Sequence, residues 1–375
     1  MVTRQQESMM RWAIALALEG AGRTSPNPMV GAIVVKGGRI VGEGYHRRAG
    51  TPHAEVHALR GAGKKARGAD LYVTLEPCCH TGRTPPCTEA IIEAGISQVF
   101  VGARDPNPKV NGRGVRALRN AGIHVTEGVL EASCGEINRA YNRFITTGMP
   151  FVTAKAALTI DGKIGTAGGD SRWITNAACR RYVHELRSNV DAIMIGGGTI
   201  RMDDPRLTVR LSGWHGIQPR ILIVDAKLDI PRYSNIMSRP AGSLIFATTN
   251  QAPLSRIKWI NERGHRVIVC RATKDGRVFL PQAMREIAKQ GIGSVLLEGG
   301  GHLFADAISR GLVQRLVACI APKLLGGGSR DFLPGLSVRA MKDAIELEGA
   351  SVKTFGDNVV VEGTLSAIAG KARRT

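Results

Sequence analysis

Hydrophobic and polar positions along the first 150 residues predict short strands that alternate with helices. Residues 8–19 have the spacing of an amphipathic helix. Residues 30–35 form an apolar run, and Gly37-Gly38 turns the chain back into residues 39–45, which predicts a hairpin. Further strands are predicted at 69–75, 98–102 and 123–126, and further helices at 54–66, 87–94, 112–121 and 131–147. This order predicts a mixed sheet covered by helices.

A second series of apolar runs begins at residue 151 and predicts a separate α/β domain. Its predicted strands lie at 151–157, 190–195, 220–225, 243–248, 266–270 and 294–297, and a helix lies at 176–187. Gly148-Met149-Pro150 resembles a boundary, so we expect domains at 1–148 and 149–368, followed by a basic tail at 369–375.

The last predicted strand leads into E-G-G-G-H-L-F-A-D, residues 298–306, which opens a helix. Phosphate binding needs this strand–glycine–helix order, because glycines let the backbone approach and the free N–H groups of the helix face the anion. The dinucleotide motif G-x-G-x-x-G is absent. The glycines alone are therefore a weak indication of a nucleotide site.

The length of 375 residues suits two domains, and the formal net charge of +20 allows two interpretations. One is a nucleic-acid partner. The other is a basic surface with a few arginines that bind phosphorylated small molecules. Basic residues are scattered and aromatic residues make up only 5% of the chain, so platforms for stacking bases are scarce. The composition favours a small phosphorylated ligand and no nucleic acid.

Seven cysteines are spread along the chain without a signal peptide ahead of them, and no apolar stretch is long enough to cross a bilayer. We therefore expect a reducing, cytoplasmic location and no membrane partner. Cys134, Cys179, Cys270 and Cys319 are predicted to be core thiols.

Residues able to bind a metal or transfer a proton are concentrated in two segments, T-P-H-A-E-V-H at residues 51–57 and L-E-P-C-C-H-T-G-R-T-P-P-C at residues 75–87. His53, Cys78 and Cys87 offer three of the four tetrahedral ligands of zinc and leave one position for water, as in catalytic zinc sites. Glu55 can move protons beside the metal. This H-x-E…P-C pattern is typical of zinc deaminases, which release ammonia from a pyrimidine or purine.

Two neighbouring residues could compete as ligands. His57 lies four residues after His53, but the zinc-protease motif H-E-x-x-H is absent, so we expect His57 to be a helix residue. The second cysteine of the pattern, Cys87, comes later than in the usual P-C-x-x-C, so the loop between the two cysteines is longer. Cys79 would be a ligand in place of one of them only if this loop folds differently.

Polar residues near the predicted strand ends are candidate substrate contacts. Asn27 either binds a ribose or base edge or is a turn residue, and His46 is either a substrate contact or a surface histidine. Arg187 and Arg210 suit a phosphate, because guanidinium groups bind it bidentately. Asp203-Asp204-Pro205 is either a ligand site at a strand end or a helix cap or turn.

Taken together, the motifs resemble those of the bifunctional deaminase–reductase family of riboflavin biosynthesis. They run in order along nearly the whole chain, and the long P-C…C spacing is that family's own. The motifs are P-H-A-E-V-H-A-L, Y-V-T-L-E-P-C-C-H-T-G-R-T-P-P-C, D-P-N-P, S-R-W-I-T, D-D-P-R-L-T-V-R, L-E-G-G-G and I-A-P-K-L-L-G-G. The resemblance implies a cytidine-deaminase-like mixed sheet with helices in the first domain and a dihydrofolate-reductase-like α/β fold in the second.

The resemblance also implies two consecutive reactions. The first domain would deaminate 2,5-diamino-6-(5-phosphoribosylamino)pyrimidin-4(3H)-one. The second would reduce the ribosyl side chain to ribityl with NADPH, giving 5-amino-6-(5-phosphoribitylamino)uracil. Relatives in this family form homo-oligomers, dimers or tetramers, so the same is expected of this chain.

Matching the motifs residue by residue assigns the expected sites. One zinc ion would be held by His53, Cys78 and Cys87, with Glu55 as the proton donor, and Asp203 or Lys155 would relay a proton in the reduction. The predicted NADP contacts are Ala157, Trp173, Thr199, Asp203, Ala226, Gly300, Gly301, His302, Leu303, Phe304, Ala305 and Asp306. The predicted substrate contacts are Ser171, Arg187, Leu207, Arg210 and Glu298, with Asn27 and His46 in the first domain.

Two other functions compete with this interpretation. The zinc motif and the basic charge also suit a tRNA deaminase with an accessory RNA-binding domain, which predicts salt-dependent tRNA binding. A non-enzymatic zinc-stabilised binding protein would leave Glu55 dispensable and would fill the fourth zinc position with a protein group, for which Cys79 is the one available residue.

Overall fold

The computed structural model describes residues 2–81 and 85–366 and the backbone of Arg373 and Arg374. The chain forms two compact units, Met1–Met149 and Pro150–Thr375. The division predicted after residue 148 falls beside this boundary. The predicted basic tail at 369–375 lies outside the described residues, apart from the backbone of Arg373 and Arg374.

The first unit is a five-stranded mixed sheet in the order β2-β1-β3-β4-β5 with helices on its faces. Strands β3, β4 and β5 run parallel, whereas β1 is antiparallel to both β2 and β3. The predicted mixed sheet is therefore confirmed. Its elements are α1 (Arg4–Leu18), β1 (Gly31–Lys36), β2 (Arg39–Tyr45), α2 (Ala54–Ala62), β3 (Asp70–Leu75), α3 (Cys87–Glu93), β4 (Gln98–Ala103), α4 (Arg113–Asn120), β5 (His124–Thr126), α5 (Glu131–Ile137) and α6 (Arg139–Thr147).

Alternate residues of β1 face opposite layers of this unit. Ala32 and Val34 belong to the buried cluster that includes α2, α3 and α4, whereas Ile33 and Val35 belong to the cluster with α1 and α5. Helix α2 packs closely on β2, since a Cβ on Gly44 would lie 2.7 Å from the Ala54 carbonyl oxygen. This close approach sets the position of the first turn of α2, where His53 and Glu55 lie.

The predicted single helix over 131–147 is wrong. The chain forms α5 and α6 with a break at Asn138, whose backbone has φ −108° and ψ 13°. The buried Asn138 amide accepts a hydrogen bond from the Met29 backbone N–H at 2.8 Å and donates one to the Met29 carbonyl at 2.8 Å. A partner 109 residues away in sequence therefore decides where the helix breaks.

The second unit is built on a nine-stranded sheet in the order β11-β10-β9-β8-β12-β6-β13-β17-β16. The seven neighbouring strands β11, β10, β9, β8, β12, β6 and β13 run parallel to one another. Strands β17 and β16 continue the sheet with antiparallel pairing. The elements are β6 (Phe151–Thr159), β7 (Lys163–Gly165), α7 (Ala177–Ser188), β8 (Ala192–Gly196), α8 (Gly197–Asp203), β9 (Arg220–Val224), β10 (Leu244–Thr248), α9 (Leu254–Glu262), β11 (Arg266–Val269), α10 (Leu280–Ala288), β12 (Ser294–Glu298), α11 (Gly301–Ser309), β13 (Arg315–Ala321), β14 (Arg330–Asp331), β15 (Leu336–Ser337), β16 (Leu347–Phe355), β17 (Asn358–Leu365) and β18 (Arg373–Arg374).

The α/β class predicted for the second unit is confirmed, and its six predicted strands are present. The antiparallel end, β13, β17 and β16, was not predicted. Cys134, Cys179, Cys270 and Cys319 are all buried, as expected of core thiols. Within the described part of the chain, no helix combines the length and the apolar character needed to cross a bilayer.

Candidate functional site

In the first unit, three metal-ligating atoms converge from three different elements. His53 occupies the N-cap position of α2, Cys87 is the first residue of α3, and Cys78 follows β3. The His53 Nδ1 atom lies 3.2 Å from the Cys87 Sγ and 3.5 Å from the Cys78 Sγ. All three ligand atoms lie within 4.8 Å of one another. The starts of α2 and α3 therefore meet at this cluster.

The two sulfurs share one hydrogen bond, and this makes them chemically unequal. The hydrogen bond from Cys87 lowers the pKa of the Cys78 thiol to about 4, and the same bond raises the pKa of Cys87. The backbone N–H of Cys87 also donates to the Cys78 Sγ at 3.4 Å, which favours a thiolate at this helix start. Two sulfurs and one imidazole nitrogen are a donor set that fits zinc with one position left open.

Glu55 is a buried carboxyl beside this cluster and is not one of its ligands. It is only 3% exposed, and its Oε2 has no hydrogen-bond partner among the described residues. Burial, together with the charge on Cys78, raises the pKa of Glu55 to about 7. An unpartnered carboxyl oxygen beside a metal site is placed to exchange a proton with a ligand bound there.

Asn27 and His46 lie together next to the ligand cluster. The Asn27 Nδ2 is 3.3 Å from the His46 Nε2, and the His46 Nδ1 is 3.3 Å from the Pro52 carbonyl oxygen. The His46 and His53 rings pack edge to face with centroids 5.2 Å apart. His46 is only 2% exposed, so the alternative that it is a surface histidine is wrong.

His57 and Cys79 both lie outside the ligand cluster. His57 is a residue of α2, as predicted, and is not part of the cluster found among the described residues. The Cys79 Sγ lies 3.9 Å from the Lys109 carbonyl oxygen instead. Part of the loop between Cys79 and Cys87, residues 82–84, lies outside the described residues.

Glu76 was not predicted to matter, yet it organises the loop next to Cys78. This buried carboxylate accepts hydrogen bonds from the backbone N–H groups of Asp105, Gly112 and Val115 at 3.3, 2.9 and 3.1 Å. It thereby ties the end of β3 to the start of α4. A charged residue directly after an apolar strand was the signal in the sequence.

In the second unit, a cavity of about 1160 Å³ opens at the carboxyl ends of β6, β8, β9 and β12. This is where open α/β sheets bind ligands. All but one of the predicted reductase residues line it: Lys155, Ala157, Ser171, Trp173, Arg187, Thr199, Asp203, Leu207, Arg210, Ala226, Glu298, Gly300, Gly301, His302, Leu303, Phe304 and Asp306. The exception is Ala305, which is fully buried. Ala305 therefore does not reach the cavity surface, and only its neighbours can contact a cofactor.

A buried ion pair lies in the wall of this cavity. Glu298 accepts two hydrogen bonds from Arg187, at 2.5 and 2.9 Å, and its Oε2 lies 3.8 Å from the Lys155 Nζ. Burial raises the pKa of Glu298, but Arg187 and Lys155 outweigh burial and hold that pKa below the ordinary glutamate value. The guanidinium of Arg187 is therefore committed to Glu298.

Asp203 and Asp204 have different surroundings. The Asp203 Oδ1 accepts a hydrogen bond from the Ser171 hydroxyl at 3.1 Å, which joins two of the predicted site residues. Asp204 ends α8 in a left-handed conformation, with φ 40°, and its carboxylate accepts from the Asn235 backbone N–H at 2.7 Å. Asp204 thus forms the predicted helix-end turn, and Asp203 is left as the carboxylate bonded to Ser171.

The glycines between β12 and α11 form a backbone turn that packs closely against Thr199 and Asp331. Gly299 and Gly300 have φ of 93° and 89°, values that favour glycine. A Cβ on Gly299 would lie 3.2 Å from Thr199, and one on Gly301 would lie 2.6 Å from the Asp331 carbonyl oxygen. A glycine turn that leads into the start of a helix at the cavity wall fits the diphosphate of a dinucleotide such as NADPH.

Several cavity residues were not predicted, among them His184 and the arginines Arg172, Arg180, Arg201 and Arg206. His184 and Arg180 lie on α7, three and seven residues before Arg187. Residues at these spacings lie on one helix face. The predicted helix at 176–187 therefore contained a signal from which His184 and Arg180 could have been predicted.

Two family models match the chain. The model described as "Cytidine and deoxycytidylate deaminase zinc-binding region" matches residues 3–103, and the model "RibD C-terminal domain" matches residues 150–361. The first match confirms the predicted zinc-binding deaminase domain. The second confirms the predicted NADPH-dependent reductase domain and argues against an accessory RNA-binding domain, so the tRNA deaminase alternative is not favoured.

Curated relatives are similar over nearly their full length. A riboflavin biosynthesis protein RibD from Aquifex aeolicus is 39% identical over 361 residues, covering 96% of this chain and 99% of the relative. RibD from Escherichia coli is 39% identical over 371 residues, covering 95% of this chain and 98% of the relative.

Solved structures agree with the fold of both units. An Acinetobacter baumannii RibD is 34% identical with a TM-score of 0.87, covering 97% of this chain and 99% of that chain. A diaminohydroxyphosphoribosylaminopyrimidine deaminase/5-amino-6-(5-phosphoribosylamino)uracil reductase from Thermotoga maritima is 36% identical with a TM-score of 0.84, covering 96% and 99%. The chain therefore belongs to the RibD family and is a bifunctional deaminase and reductase of riboflavin biosynthesis.

Proposed function

We propose that the first unit deaminates 2,5-diamino-6-(5-phosphoribosylamino)pyrimidin-4(3H)-one and that the second reduces the resulting ribosylaminouracil to 5-amino-6-(5-phosphoribitylamino)uracil. The observation that carries the proposal is the presence of two separately built sites on one chain. One joins His53, Cys78 and Cys87 to a buried carboxyl, and the other is the cavity around Glu298. The Thermotoga maritima relative, named for both reactions, supports these substrates.

In the proposed deamination, His53, Cys78 and Cys87 hold zinc, which supplies an activated water when bound. Glu55 takes a proton with its unpartnered Oε2 and delivers it to the leaving amino group. Asn27 and His46 line the approach beside His53, and their mutual hydrogen bond fixes both side chains for contact with the substrate.

Zinc content separates the proposed ligands from Cys79. We expect Cys87→Ala to lose the bound zinc, because the site keeps only two ligands, and the matched Cys79→Ala to retain one zinc per chain. The measurement is the metal content of purified protein by mass spectrometry. If Cys79→Ala loses zinc and Cys87→Ala retains it, the proposed ligand set is wrong and Cys79 is the ligand.

In the proposed reduction, NADPH supplies a hydride to the ribose carbon of the ring-opened substrate when bound. The substrate nitrogen then gains a proton, and Lys155 and Asp203 are the two cavity groups able to relay it. Glu298 holds Lys155 in place, and Ser171 orients the Asp203 carboxylate. Arg210, which has no carboxylate partner among the described residues, binds the substrate phosphate.

Asp203→Asn should slow reduction roughly 10²-fold while NADPH binding stays near wild type, because the amide keeps the Ser171 hydrogen bond and cannot relay a proton. Single-turnover NADPH oxidation and NADPH titration by fluorescence measure the two effects. The control is Asp229→Asn, an exposed aspartate away from the cavity. Wild-type turnover in Asp203→Asn would leave Lys155 as the proton relay.

The proposal as a whole is tested by following ammonia release and NADPH oxidation in one preparation of zinc-loaded protein. We expect both activities on the phosphoribosylaminopyrimidine, with reduction dependent on prior deamination. Absence of both activities from folded, zinc-loaded protein would overturn the proposed substrates.

We further propose that the chain is a cytoplasmic homo-oligomer, a dimer or tetramer. All seven cysteines are free thiols, which suits a reducing compartment. Strand β16 forms one edge of the nine-stranded sheet, and its seven central residues are exposed, which leaves it available for pairing with a second copy. Sedimentation velocity tests the assembly, and a monomer at micromolar concentration would contradict it.

A further inference from the structure

His184 is the histidine of α7 that faces the reductase cavity without a role in the proposed reaction. It lies three residues before Arg187 on the same helix face, and both residues line the cavity. Its surroundings are charged, with Arg187 on its own helix, Arg210 on the facing segment and Glu298 at the end of β12.

The ring of His184 is bonded to the backbone of the segment that carries Arg210. The Arg210 N–H donates to the His184 Nδ1 at 3.3 Å, and the Thr208 backbone is a second hydrogen-bond partner of the ring. Arg187 donates to the Thr208 carbonyl at 3.2 Å. Two side chains of α7 therefore hold the backbone of residues 208–210 in place.

The guanidinium of Arg210, unlike that of Arg187, remains available to bind an anion in the cavity. Arg187 is committed to the buried Glu298, whereas the Arg210 guanidinium is bonded only to the Thr208 hydroxyl, at 2.9 Å, among the described residues. Arg206, a further cavity residue, lies close enough to lower the pKa of Arg210, after burial and Arg187. Unpaired guanidinium groups in a cavity are a site for a phosphate.

The hydrogen bond from Arg210 requires the His184 Nδ1 to be unprotonated. Burial, with the neighbouring Arg187 and Arg210, lowers the pKa of His184 to about 4, against the opposing influence of Glu298 and the Thr208 backbone. A neutral imidazole supplies the acceptor that the Arg210 N–H needs. A protonated ring would remove that acceptor and place another positive charge beside two guanidinium groups.

We propose that His184 is a positioning residue of the reductase site, which holds the Arg210 backbone so that its guanidinium is presented to the phosphate of the substrate. The inference rests on the proposed substrate and adds a residue that determines its recognition. His184 itself need not touch the phosphate, since it acts through the backbone of Arg210.

The test compares His184→Leu with His184→Asn in the reductase reaction at saturating NADPH, using the phosphorylated ribosylaminouracil and its dephosphorylated analogue. Leucine removes the acceptor, so KM for the phosphorylated substrate should rise roughly five- to tenfold, the loss of about one hydrogen bond, with kcat within about twofold. The dephosphorylated analogue should show no change in KM. Asparagine places an oxygen near the Nδ1 position and should recover most of the loss.

A double-mutant cycle with Arg210→Ala tests the coupling directly. If His184 acts through Arg210, His184→Leu should add little to KM once Arg210 is alanine. His215→Leu is the matched control, since His215 is exposed and outside the cavity lining.

Equal KM increases for both substrates, or additive effects in the cycle, would overturn the role of His184. If Arg210→Ala leaves KM for the phosphorylated substrate unchanged, the failure belongs to the proposed phosphate contact instead. Should the leucine variant not fold, His184→Gln replaces it, because its oxygen lies near the Nε2 position. Equal KM values for the Gln and Asn variants would then contradict the inference.

Discussion

Replacement of Glu55 by glutamine should abolish ammonia release and leave reduction of the pre-deaminated substrate intact. Glu55 is buried beside the proposed zinc ligands, and its Oε2 has no partner among the described residues. A glutamine fills the same volume and cannot exchange a proton. General acid–base catalysis contributes typically 10²–10⁴-fold, and we expect a loss near the upper end, because this carboxyl serves both proton transfers of the proposed deamination.

The measurement follows ammonia release and NADPH oxidation separately, with zinc content determined on the same protein. Glu89→Gln is the matched control, since Glu89 is an exposed carboxylate in the first turn of α3, the helix that begins at Cys87. Retained ammonia release in a zinc-loaded Glu55→Gln variant would remove Glu55 from the reaction. Loss of zinc along with activity would instead make Glu55 part of the metal site.

Replacement of Glu298 by alanine should destabilise the second unit by about 3–5 kcal/mol, the cost of leaving a buried charge without its partner. Arg187 and Lys155 would both lose their counter-charge, and their side chains are only 12% and 14% exposed. The paired replacement Arg187→Met with Glu298→Leu should recover part of this stability, because it removes the unpaired Arg187 charge and leaves only Lys155 without its partner, and it should still lack reductase activity.

Hydrogen exchange resolved to peptides of β6 and β12 measures this loss within the second unit. Glu185→Ala is the control, since its ion pair with Arg181 is exposed on the surface of α7 and contributes no more than about 1 kcal/mol. A Glu298→Ala variant as stable as this control would show that the buried pair does not hold the unit together.

The same variant has a predictable pH dependence. Because Arg187 and Lys155 hold the pKa of Glu298 below its ordinary value, the stabilisation is present above the unfolded-state pKa and is lost as pH falls through the folded-state pKa. The difference in stability between wild type and Glu298→Ala should therefore shrink below about pH 4.3, the value for an unperturbed glutamate.

The deaminase site was largely predictable from sequence because its chemistry is local in the chain. His53 and Glu55 are two residues apart, Cys78 and Cys87 flank one loop, and zinc restricts which residue types can appear. The apolar periods around them predicted the strand and the two helices that bring them together. In the second unit, the family resemblance assigned residues that all line the cavity except Ala305, and the fold brings them together because the carboxyl ends of parallel strands meet at one edge of a sheet.

Only the tertiary structure decided the partners of the individual side chains. The helix breaks at Asn138 because its amide bonds the Met29 backbone. His46 is buried through its contacts with Asn27 and Pro52. Arg187 is paired with Glu298, which lies 111 residues away in sequence. The sequence by itself determined which residue types the chemistry requires and which strands and helices carry them, since these follow from short-range periodicity and ligand chemistry. Charge pairing and burial depend on distances between remote segments, which periodicity does not contain.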